Sequence, residues 1–192
     1  MQMNGVSLLG WLHAAACVIA LLAGAFQLIG PKGTPKHRRL GRWYFYAMLF
    51  ATVSVFGIFH FDLIPSTPPV AGPGVFGIFH WEAVVTLSVL LIGFYAASRQ
   101  KRAIWAYLHP FSMLFTYYML VGGLINELFV RVDVLHAFAI TQSRGVRNIA
   151  ASPVVGLTQF AAMVLFLLLV TTFLVKVARY RRRARLPAVA AE

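Results

Sequence analysis

Hydrophobic positions in this chain come in long unbroken runs, not in the short-period alternation of a water-facing fold. Five runs, at 7–30, 43–65, 75–97, 108–130 and 154–176, each supply the roughly 20 helical residues needed to cross ~30 Å of hydrocarbon. Backbone groups in lipid must be satisfied within the chain, and these runs are too long and continuous for barrel strands. The pattern therefore predicts an all-α polytopic membrane helix bundle with five transmembrane helices in one domain. The connection at 131–153 holds Val134, Leu135 and Phe138, which predicts a short helix lying in the outer interface. The first run has no basic residue ahead of it and is long for a signal peptide, so it is expected to be an uncleaved span.

Composition strengthens this picture. The 192 residues are 60% hydrophobic and 11% charged, whereas a soluble domain carries roughly 25% charged residues. The single cysteine, Cys17, excludes a disulfide within the chain.

The net charge of +12 points to topology and not to nucleic acid, because the bases gather at the ends of the apolar runs. Lys32, Lys36, Arg38, Arg39 and Arg42 follow the first run, and Arg99, Lys101 and Arg102 follow the third. The tail at 177–192 continues the cluster begun by Lys176. Of the 17 basic residues only Arg131, Arg144 and Arg147 fall on the opposite side. The positive-inside rule then gives N-terminus out and C-terminus in, with a basic cytoplasmic tail. The expected partners are the bilayer itself, anionic lipids at the basic inner loops and tail, and a second copy of the chain. Trp11, Trp43, Trp81 and Trp105 fall near run ends, as interface aromatics do.

Candidate chemistry begins with a near-duplication. Residues 55–62 read Val-Phe-Gly-Ile-Phe-His-Phe-Asp and residues 75–82 read Val-Phe-Gly-Ile-Phe-His-Trp-Glu. The pair brackets a Pro-rich turn and brings His60, Asp62, His80 and Glu82 towards one membrane surface. By the 1.5 Å rise per residue, His13 lies about 9 Å and His60 and His80 about 8 Å inside the outer ends of their runs. Glu127 sits in the last outer turn of the fourth. Ionisable groups in hydrocarbon usually face a bundle interior or a wet cavity, so an outer-facing His/carboxylate pocket is expected. His80 and Glu82 are ~200° apart around a helix and cannot both enter it directly. On the fourth run His109, Ser112, Thr116, Gly123 and Glu127 share a stripe, and on the first His13, Cys17, Gly24 and Gln27 do. Small and hydroxyl residues in such stripes also serve plain helix packing.

Two further stretches carry a resemblance. His37-Arg38-Arg39-Leu40-Gly41-Arg42-Trp43-Tyr44 reads as a basic loop entering the second helix. His109-Pro110-Phe111-Ser112-Met113 opens the fourth, which continues to Glu127 and Arg131. Together they resemble predicted bacterial membrane proteins grouped as domain of unknown function 2306, over roughly residues 8–131. The resemblance implies a multi-pass protein of the bacterial inner membrane and brings no reaction with it. From the residues alone, Gly41 reads as a tight helix entry.

Three functions compete. His13, His60 and His80 are candidates to bind haem b, which needs two imidazoles at one depth. The same histidines with Glu127 are candidate ligands for a divalent metal such as Zn. Glu82, Thr116, Glu127 and His109 are a candidate proton or substrate path in a small proton-coupled carrier. A non-catalytic membrane assembly or accessory protein is the remaining reading.

Overall fold

The computed structural model describes residues 2–3, 6–58, 78–99, 102–141 and 152–189. Apart from a two-residue ribbon pairing β1 (Gln2–Met3) with β2 (Val6–Ser7), the described chain is helical. The helices are α1 (Leu8–Ile29), α2 (Pro35–Ile58), α3 (Ile78–Ser98), α4 (Ala103–Arg131), α5 (Asp133–Thr141) and α6 (Pro153–Val189). Four of them are long and apolar enough to cross a membrane: α1, α3, α4 and the Pro153–Arg182 part of α6. The fold class is the expected one, a set of apolar helices, and the short helix after the fourth run is present as α5.

Several boundaries differ from the expectation, each for a local reason. The second helix starts at Pro35, not at residue 43. Thr34 caps it by accepting the His37 N–H on Oγ1 at 3.1 Å, and Pro35 occupies the first helical position, where a missing N–H costs nothing. The His37–Tyr44 motif is therefore helical, and the arginines within it are good helix formers. The turn ahead is made by Gly33, at φ +77°. No atom crowds a Cβ there, so Gly33→Ala should cost only the left-handed backbone penalty, about 1 kcal/mol. Thermal melting in detergent measures it. The fourth helix starts at Ala103 and carries Pro110 inside it. The sixth continues through the basic segment to Val189.

The chain divides into two compact units, Met1–Phe94 and Tyr95–Glu192. In the first, α1 and α2 run antiparallel. The α1 face is built from small residues, with Ala16, Ala20, Ala23 and Gly24 buried. Across from it α2 buries Tyr44, Ala47, Met48, Ala51 and Ser54. Lipid supplies no hydrophobic drive between helices, so close backbone approach over small residues is what packs them. An adjoining side of α2 meets α3, where Phe45 stacks on Phe94 at 4.0 Å between ring centroids. Phe56 packs against the His80 ring at 5.5 Å.

In the second unit α4 and α6 run antiparallel. Phe166 sits among Phe111, Phe115 and Tyr118. At the other end Phe129, Ala139 and Val155 form a small core with Ile125, Leu135 and Val154 around it. The turn from α4 into α5 is closed by Val132 N–H donating to Leu128 O and by the His136 ring donating from Nδ1 to Phe129 O at 3.2 Å.

Candidate functional site

Polar side chains on apolar helices are costly unless paired, so their partners decide what they can do. His13, on the α2-facing side of α1, is part-buried. Its Nδ1 lies 2.8 Å from Ser54 Oγ and 3.1 Å from Ala51 O. The Ser54 hydroxyl donates to Ala51 O at 2.9 Å, so the His13 Nδ1–H is the donor to the serine oxygen. That tautomer leaves Nε2 as an acceptor, and the Cys17 thiol one turn on lies 3.5 Å from it. The spacing of four residues places both on one face. The result is an imidazole held in orientation by the neighbouring helix.

A second polar junction lies at the far end of the same helix pair. Gln27 Nε2 donates to His37 O at 2.9 Å. A Cβ on Gly41 would stand 2.9 Å from that Nε2, so this glycine admits the amide at mid-helix and makes no turn. Gln27 Oε1 is buried without a hydrogen-bond partner. Beside it Lys32 Nζ caps the α1 carbonyls of Gln27 and Leu28.

The third junction joins α4 to α6. Gln159 Nε2 donates both to Gly122 O and to Asn126 Oδ1, each at 3.0 Å. Neither Gln159 nor Ser54 stood out in the sequence. Each is an uncharged polar residue well inside an apolar run, and only its counterpart across the helix pair marks it.

The residues expected to form one outer pocket have different surroundings. His80 is 2% exposed and packs on Phe56, whereas His13 meets α2 at Ala51 and Ser54. Ser54 and Phe56 are two residues apart, ~200° around α2, so the two histidines contact opposite sides of that helix. Glu82 is half-buried on another face of α3. His60 and Asp62, and most of the duplicated segment, lie outside the described residues. Glu127 belongs to the second unit, is 51% exposed and pairs with Arg131 one turn on. The burial cost expected for a carboxylate in a span is thus largely avoided. Thr116 is fully buried and donates to Met113 O in its own helix, as hydroxyls in apolar helices commonly do. Ser112 is buried on the same face, and His109 is half-buried. Among the described residues no three of His, Cys, Asp or Glu stand close enough to hold a metal ion.

The chain matches no family model, no curated protein and no solved structure.

Proposed function

We propose that the chain is a five-span membrane protein whose intramembrane polar side chains fasten helices together, serving as a non-catalytic assembly or accessory protein. The observation behind this is that His13, Gln27 and Gln159 each reach an acceptor on a neighbouring helix of their own unit. Polar pairs of this kind are the ordinary adhesive of membrane helices. The fifth span is α2. Its first turns carry Lys36, Arg38, Arg39 and Arg42, but it follows α1 from the Leu9–Gly57 approach to the Gln27–Gly41 approach. A helix held along its length by a span shares that span's environment. The N-out, C-in orientation rests on the distribution of basic residues. Membership of the family of domain of unknown function 2306, and with it the bacterial inner membrane, rests on the His37–Tyr44 and His109–Met113 motifs.

One observation favours a second reading. Imidazoles that ligate metal or haem usually donate their other ring N–H to an oxygen, as His13 Nδ1 does here. Its Nε2 and the Cys17 sulfur together offer two donors.

Visible absorption and metal analysis of detergent-purified protein, wild type and His13→Leu, separate the readings. The fastening role predicts no Soret band and no stoichiometric zinc in either protein. It also predicts a stability loss in the variant of about 0.6 kcal/mol, and at most ~1.7 kcal/mol. One equivalent of haem or metal that disappears in His13→Leu would overturn it in favour of a ligand site.

A further inference from the structure

Beside the turn between α1 and α2 lies an open cavity of 220 Å³, lined by Phe26, Gln27, Ile29, Thr34, Lys36 and Leu40 among others. Its lining is graded. Phe26, Ile29 and Leu40 make the wall towards the apolar parts of both helices, and Ile29 is 81% exposed. Thr34 and Lys36 line it on the side of the turn, and Lys36 is its one basic lining residue among the described residues. Apolar side chains with one lysine on the turn side match a lipid at its headgroup, where a basic residue near an anionic surface is favourable. The volume is below the ~300–1,000 Å³ of pockets that enclose a whole small molecule, which suits part of an acyl chain entering from the bilayer. The cavity wall also holds the Gln27 Oε1 acceptor that has no hydrogen-bond partner.

We propose that this cavity binds one anionic glycerophospholipid, its upper acyl chain against Phe26, Ile29 and Leu40 and its phosphate beside Lys36. The inference requires α1 to lie in the bilayer, and fractionation of the expressing cells before detergent extraction checks that requirement separately. It does not depend on whether His13 is a fastener or a ligand.

The test is native mass spectrometry of the full chain in detergent, titrated with phosphatidylglycerol or with phosphatidylcholine of identical acyl chains. Preferential retention of one phosphatidylglycerol is expected. Lys36→Gln should weaken it about fivefold, the effect of one surface charge. Arg179→Gln, which removes a base from α6, should leave it unchanged. Ile29→Asn should also weaken retention, and because that side chain is 81% exposed the fold should tolerate it. Equal retention of the two lipids would overturn the proposal, as would equal losses in Lys36→Gln and Arg179→Gln. Displacement of the lipid by free glycerol phosphate or inorganic phosphate at matching concentration would overturn it too, reassigning the cavity to a soluble anion.

Discussion

Ala20→Leu should lower the stability of the detergent-solubilised protein by about 1–3 kcal/mol, the usual cost of overfilling a packed site. Ala20 is fully buried at the middle of the α1 face that meets α2. Its neighbours along that face, Ala16, Ala23 and Gly24, are small as well, so the two backbones approach closely, and Met48 and Tyr44 are buried on the α2 side. Three extra carbons have no void to enter, and the helices must separate or Met48 must leave a favoured rotamer. Separation would also lengthen the His13–Ser54 and Gln27–His37 hydrogen bonds, one on either side of the site. Ile19→Leu, one residue away but 45% exposed, should leave melting unchanged. Thermal unfolding followed by circular dichroism or by aggregation gives both values. A wild-type melting temperature for Ala20→Leu would mean that α1 and α2 do not pack through the small-residue face.

Gln159→Leu should be nearly as damaging to the second unit. The substitution preserves volume but removes a side chain whose two amide hydrogens go to Gly122 O and Asn126 Oδ1. It leaves the Asn126 oxygen without that donor in an apolar setting, for a total of about 1–2 kcal/mol. A cycle with Asn126→Leu isolates the pair. The coupling should fall near 0.6 kcal/mol and not exceed ~1.7 kcal/mol, because membrane helices apart from each other find other partners for polar groups. Strictly additive losses would show that the amide fastens nothing. Phe166 and the rings around it hold the other end of the α4–α6 pair, so partial separation and not complete unfolding is the expected structural result.

The hydrophobic runs made the helical class and the approximate place of every long helix legible. The first run, 7–30, differs from α1 by one residue at either end, because the same loss of apolar side chains ends both the run and the helix. Runs with charged flanks were less informative. The Lys36–Arg42 stretch reads as a loop by hydropathy, yet Thr34 and Pro35 start the helix ahead of it and nothing in those side chains opposes helical backbone. Gly41 illustrates the same limit. Its need for a missing Cβ arises from Gln27, which is far off in sequence and close only once α1 and α2 pair.

The sequence by itself determined that this protein is made of apolar helices with basic ends, since the cost of exposing backbone groups to hydrocarbon leaves few alternatives. Residue count along the apolar runs also led to the expectation that His13 and His80 lie at similar depths, about 9 and 8 Å inside the outer ends of their runs. Tertiary structure alone decided which neighbour each one meets. A difference of two residues on α2, Ser54 against Phe56, is half a helical turn. It sends one imidazole to a hydrogen bond with α2 and leaves the other packed on an aromatic ring at the opposite side. Depth is a sum over local geometry, whereas direction depends on the rotation of each helix against its neighbours, and only packing sets that rotation.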